Sequence, residues 1–175
     1  MEEWCYGLNI RDIINMSNHL IRPYVESDKE ACLNAFKSNV PLYFTEDEVL
    51  DYGNFLDNYI IKQNHSDYRT NYFVLLIEGH LVACGGFGDR YLDGKLTLTW
   101  GLVHIDFHKK GLGKELLLFR LNRIKEQFPE SSVSIDTIQH SAGFFEKYGF
   151  KTTKITNDFY AQGLHRYDMV WHNLT

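Results

Sequence analysis

A mixed α/β domain, a sheet with helices packed on its faces, is the fold class this sequence predicts. Three observations lead there. Apolar residues recur at the 3.6-residue helical period in some stretches and alternate in others. The two patterns interleave along the chain rather than separating into halves. And 175 residues at 44% hydrophobic and 15% aromatic supply enough apolar surface for one domain with a core of its own.

Residues 1–20 read as an N-terminal extension, with Ile10, Ile13 and Ile14 at helical spacing. The folded domain then runs from 21 to 175. A short strand around Leu20–Pro23 leads to a helix from about Asp28 to Ser38. Pro41 interrupts, and Thr45-Glu46-Asp47-Glu48 is a capping box for a second helix towards Gln63. Tyr72–Glu78 and Leu81–Gly86 are apolar, β-prone runs around Gly79-His80, which predicts a two-residue hairpin. Asp93-Gly94 is another turn signal, and Lys95–His104 alternates as a strand does. Gly101 within that strand marks a bulge or a close backbone approach. Gly113–Phe128 is helical through Leu117, Leu121, Ile124 and Phe128, and Pro129 stops it. Val133–Thr137 is a strand, about Ser141–Lys147 a helix, and Gly149 a helix stop. Phe150–Thr156 and Arg166–Trp171 close the order, which reads ααββββαβαββ after the opening strand.

Composition excludes several classes. Cys5, Cys32 and Cys84 are odd in number and widely spaced, which implies plain thiols in a reducing compartment and no metal site. The first 20 residues carry Glu2, Glu3 and Asp12, so they are not a secretory signal. No segment reaches the ~20 apolar residues of a membrane helix. The expected location is the cytoplasm, away from membranes. A formal charge of -5 argues against a nucleic-acid partner, which needs clustered Lys and Arg.

Against that acidity, Lys109, Lys110 and Lys114 stand together with no carboxylate between His108 and Lys114. Gly111-Leu112-Gly113 sits among them, where a strand gives way to a helix. A helix N-terminus leaves its first N–H groups without partners and carries partial positive charge, and glycine lets backbone approach a ligand. This pattern predicts a phosphate cradle. It is not a P-loop, since His108 and Glu115 stand where that motif has Gly and Ser or Thr. Nor is it a dinucleotide fingerprint, since Leu116 takes the third glycine position.

Further on stands Ser141-Ala142-Gly143-Phe144-Phe145-Glu146-Lys147-Tyr148-Gly149-Phe150. Together with His108-Lys109-Lys110-Gly111-Leu112-Gly113, it resembles the GCN5-related N-acetyltransferase (GNAT) superfamily. The first segment is similar to the family's Gln/Arg-x-x-Gly-x-Gly/Ala opening of a helix, and the second to its Phe-Tyr-Glu-Lys-x-Gly-Phe. Ile21-Arg22-Pro23-Tyr24 followed by Asp28 is similar to its first strand. The resemblance spans about residues 20–172.

It implies a mostly antiparallel twisted sheet of about six to seven strands with helices on both faces. It implies acetyl-CoA as co-substrate, no metal, and direct transfer of acetyl to a primary amine of a small molecule or peptide. The pyrophosphate would meet the N–H groups of Lys109 to Lys114, with His108, Phe144 and Lys147 beside the cofactor. Gly101, Leu102, Val103 and His104 would hold pantetheine, the Leu102 amide facing the oxyanion. Two departures stand out: His108 replaces Gln or Arg, and Phe145 replaces the Tyr that protonates the departing thiolate. Tyr148, His140 and Tyr160 are then the substitute acids, and Asp136 or His104 the base. A thiol pKa of ~8.5 lets the thiolate leave with modest help.

Residues 26–58 carry eight carboxylates (Glu26, Asp28, Glu30, Glu46, Asp47, Glu48, Asp51, Asp57) among Tyr43, Phe44, Tyr52, Phe55 and Tyr59. They fit either a cationic-amine site or a solvated acidic face over an aromatic core. Two other functions fit the same residues: a non-catalytic acyl-CoA sensor, suggested by Phe145, and an interaction module in which residues 1–20 dock a partner or a second copy as a homodimer.

Overall fold

The computed structural model describes residues 18–64, 70–89 and 95–172. The extension up to residue 17 and the Asp93-Gly94 turn lie outside the described residues. In chain order the elements are β1 (His19–Pro23), α1 (Lys29–Lys37), α2 (Glu46–Lys62), β2 (Asn71–Ile77), β3 (His80–Gly88) and β4 (Leu96–Val103). Then come α3 (Leu112–Gln127), β5 (Ser132–Ile138), α4 (Gln139–Glu146), β6 (Lys151–Ala161) and β7 (Leu164–His172). Among the described residues three strands, not four, lie between α2 and α3.

The strands form one seven-stranded sheet in the order β1-β2-β3-β4-β5-β7-β6. All neighbours are antiparallel except β4 and β5, which pair in parallel through Leu96–Val133 and Thr97–Ser134 and then part. Both faces are covered. Phe36 of α1 and Tyr52 and Leu56 of α2 pack on Tyr72, Val74, Cys84 and Leu102. Leu117, Leu121 and Ile124 of α3 and Phe145 of α4 pack on Phe73, Phe87, Leu98, Val133 and Met169 across the sheet. Burying a leucine or isoleucine such as Leu117 or Ile124 stabilises the fold by about 1.5–3 kcal/mol each.

Local chemistry sets the boundaries. The Thr45 backbone N–H donates to Glu48 Oε2 at 2.8 Å, the capping box that the sequence signals. The β2–β3 turn is one residue earlier than Gly79-His80. Glu78 and Gly79 hold φ of 51° and 81°, the two left-handed central residues of a type I′ turn. Gly149, at φ 90°, ends the α4 segment, and the Phe150 N–H reaches back to the Phe145 carbonyl at 3.3 Å. Arg22 clamps Asp28 through two bonds of 2.6 and 2.8 Å, tying β1 to the start of α1. Burial alone would raise the Asp28 carboxyl, but Arg22 and the Val25 N–H outweigh it and hold it below its ordinary value.

Candidate functional site

A strand that ends beside a helix start leaves unpaired backbone groups, and here they face one cavity. The cavity has a volume of about 630 Å³ and lies where β4 and β5 part. At its outer end α3 begins. Gly111 caps the helix at φ 83°, and the first intrahelical bond is Glu115 N–H to the Gly111 carbonyl at 3.0 Å. Among the described residues, none of the six consecutive amides from Lys109 to Lys114 has a protein acceptor. Lys109 and Lys114 line the cavity beside them, so the dipole and two ammonium groups act on the same space. Gly113 completes this wall. A Cβ there would stand 3.7 Å from Phe144 and 3.8 Å from Val103, ordinary contacts.

The bulge expected at Gly101 is present. Gly85 of β3 is opposed by both Trp100 and Gly101 of β4, and Trp100 takes the left-handed φ of 41°. The Tyr72 hydroxyl donates to the Trp100 carbonyl at 3.0 Å and is itself joined to the Tyr52 hydroxyl at 2.8 Å. Below the bulge the His104 N–H donates to the Val82 carbonyl at 2.9 Å. Antiparallel ladders alternate, so Leu102, paired with Cys84, turns its N–H towards β3. The oxyanion role expected for Leu102 is therefore not open to it. By the same alternation the Val103 backbone groups point away from β3, towards the gap. The Val103 carbonyl accepts from Asn39 Nδ2 at 2.9 Å and from His108 Nε2 at 2.8 Å. A carbonyl only accepts, so the His108 proton sits on Nε2.

The inner end is built from side chains. The Tyr160 hydroxyl donates to Asp136 Oδ2 at 3.0 Å, and burial first, then the Asp136 charge, raises the Tyr160 phenol well above its ordinary value. Glu48 shares this wall while serving as the α2 cap. Tyr43 stands edge-on to both His108 and His140, at 5.3 and 6.3 Å. Arg120 lies on the floor, 4% exposed. Its Nε donates to the Leu116 carbonyl and its Nη1 to the Gly86 carbonyl, both at 3.3 Å. It makes no ion pair among the described residues. Burial pulls its guanidinium down to about 10, and the neighbouring Tyr72 and Cys84 offset only part of that.

Most residues expected from the sequence gather here: Val103, His108, Lys109, Gly111, Leu112, Gly113, Lys114, Asp136, His140, Phe144, Lys147, Tyr148 and Tyr160 all line the cavity. Three do not. The Leu102 side chain is buried in the α1–α2 core. The His104 ring turns away, its Nδ1 accepting from the Asp106 N–H at 3.3 Å. Lys110 Nζ lies 4.6 Å over the Phe107 ring. Phe145 packs on Phe150 and leaves no hydroxyl at that position. Of the eight carboxylates in 26–58, Glu48 lines the cavity, whereas Asp28 and Asp57 pair with Arg22 and Lys29. Tyr52 and Tyr59 belong to the core.

Sequence reasoning missed Arg120, Asn39 and Ser141. Arg120 had a signal: it falls on the apolar stripe of α3, between Leu116 and Ile124 at four-residue steps. Asn39 had none, since its partner Val103 is distant in the chain.

A family model described as an acetyltransferase (GNAT) domain matches residues 41–173. Among solved structures, a Desulfovibrio desulfuricans protein placed in the GNAT family of acetyltransferases is similar at 16% identity and a TM-score of 0.74. That match covers 89% of this chain and 99% of the other. A Salmonella typhimurium acetyltransferase structure with its cofactor acetyl-CoA is similar at 20% identity and a TM-score of 0.72, covering 90% of this chain and 95% of that one. The ribosomal-protein-S18-alanine N-acetyltransferase of Escherichia coli is similar at 16% identity and a TM-score of 0.69, with 90% and 95% covered. No curated protein sequence matches the chain. No helix among the described residues is long and apolar enough to cross a membrane.

Proposed function

The chain belongs to the GNAT acetyltransferase family, and on that premise we propose that it moves an acetyl group from acetyl-CoA directly to a primary amine, through a domain spanning residues 21–175. The observation that carries this is one continuous cavity, with six unpaired amides at one end and a bulged, half-paired strand at the middle.

In this reading the amides of Lys109 to Lys114 bind the pyrophosphate, and the edge of β4 from Gly101 to Val103 takes the pantetheine arm. The thioester carbonyl meets the Gly101 and Val103 amides, which stabilise the charge that develops on its oxygen. The substrate ammonium gives one proton to Asp136, which Tyr160 holds in place; the free amine then attacks the carbonyl carbon, and the adduct nitrogen loses its second proton to solvent. The carbon–sulfur bond breaks and the thiolate leaves, taking its proton from solvent or from Tyr148. Positioning and polarisation supply the acceleration, with no covalent enzyme intermediate.

Calorimetry with acetyl-CoA and a thiol-release assay over a panel of amines test this. Binding together with turnover on at least one amine is the expected result; absence of acetyl-CoA binding overturns it. The buried Phe145, with no hydroxyl, supports one second reading, a non-catalytic acyl-CoA sensor. Tight binding with no turnover on any amine selects that reading.

A further inference from the structure

Arg120 is a cation that the proposed chemistry leaves unused. A guanidinium carries five N–H donors, and two are engaged here, both by neutral carbonyls at 3.3 Å. Every side-chain nitrogen or oxygen without surface of its own has a hydrogen-bond partner among the described residues. Nη2 has none and so keeps surface of its own, and Arg120 lines the cavity. Room for the group is made by two glycines. A Cβ on Gly101 would stand 2.9 Å from Nη1 and 3.0 Å from Nη2, and one on Gly85 3.0 Å from Nη1.

A buried guanidinium that no carboxylate pairs with is unfavourable, which a resting fold alone gives no reason to keep. Nor does it serve the pyrophosphate, because Arg120 stands about 12 Å along the axis of α3 from Leu112. Leu98, Leu116, Ile135 and Phe145 give the same cavity an apolar part of its lining. A planar fork of donors beside an apolar lining matches a planar anion with two oxygens.

We propose that Arg120 is a carboxylate-binding subsite on the floor of the cavity beside the β4 bulge, and that one of the two reaction partners presents a carboxylate to it. The proposal rests on the acyltransferase reading above. The carboxylate can come from either partner: the far end of a dicarboxylic acyl group on CoA, or an amino acid that accepts the acyl group.

Two arms distinguish these sources. One compares acetyl-CoA with malonyl-CoA and succinyl-CoA, by calorimetric affinity and by thiol release. The other keeps acetyl-CoA and compares amino acids with their amides, by turnover and by binding to the CoA-loaded protein. The expected result is a preference of about ten-fold or more for the carboxylate in one arm. Arg120→Met brings that ratio to within about two-fold of unity. It also raises the melting temperature, because a buried charge is gone. If Arg120→Met fails to fold, Arg120→Lys takes its place and lowers the same ratio by losing the fork.

No preference in either arm overturns the subsite, and so does a preference that survives both substitutions. An ultraviolet thiolate signal in the ligand-free protein that disappears in Cys84→Ser also overturns it, since Cys84 would then be the counter-charge. Failure of the underlying reading looks different: the protein then binds no acyl-CoA at all.

Discussion

The two ends of the cavity are made of different materials. The outer end is backbone: six amides in a row, set by a glycine cap and a helix start that eight or so residues determine locally. At the inner end, side chains arrive from separate elements: Asp136 from β5, Tyr160 from β6 and Tyr43 from the α1–α2 connection. A backbone site tolerates changes of side chain and resists only bulk. A side-chain site fails when one atom is removed.

Bulk at the outer end gives the largest effect. Gly113→Trp is expected to lower acetyl-CoA affinity by about 100-fold or more with the far-ultraviolet dichroism unchanged. Gly113→Ala meets no protein atom closer than 3.7 Å and should raise stability by about 1 kcal/mol. If it also lowers affinity about ten-fold, the backbone approaches the phosphates closely; calorimetry and thermal melts read both. An Ala variant with unchanged affinity moves the phosphates away from this wall.

Single atoms matter more at the inner end. Asp136→Asn is expected to lower kcat by about 100-fold while the KM for acetyl-CoA stays within about two-fold. Tyr160→Phe, which removes only the bond that orients the carboxylate, should lower kcat by about ten-fold. Equal losses in kcat and in cofactor affinity would erase the distinction between the two ends.

Next in size is charge at the outer end. Lys109→Ala with Lys114→Ala is expected to weaken acetyl-CoA binding by about five-fold, and the loss should shrink as salt rises. A much larger effect would make the side chains, not the amides, the principal ligands. Smallest is Phe145→Tyr, which restores a phenol near the thiolate. Because a thiol pKa of ~8.5 already permits departure, kcat should rise by no more than about three-fold.

The outer end was legible in the sequence because its determinants are contiguous. Gly111, Gly113 and the lysines signal a helix start with open amides without reference to the rest of the chain. The helices and strands were legible for the same reason, through periodicity and punctuation such as Thr45–Glu48 and Gly149. Where local signals misled, a backbone angle was at fault. A positive φ at Glu78 moved the hairpin turn by one residue, and the ladder alternation that turns the Leu102 amide to β3 depends on pairing with Cys84. The Asp136–Tyr160 bond joins residues far apart in the chain, so the sequence names both without joining them. Arg120 was visible as a charge on an apolar stripe, but only the glycines at 85 and 101, on β3 and β4, show why it fits there.

The short parallel seam has a mechanical consequence. β1 to β4 form one leaf and β5, β7 and β6 another, and among the described residues the sheet's ladder joins the leaves by only the Leu96–Val133 and Thr97–Ser134 pairs. A ligand lying along the open edge of β4 would therefore act as mortar between two half-sheets. Occupancy would then register far from the chemistry, as slower amide exchange in β5 and β7 and as a melting temperature that climbs with ligand concentration.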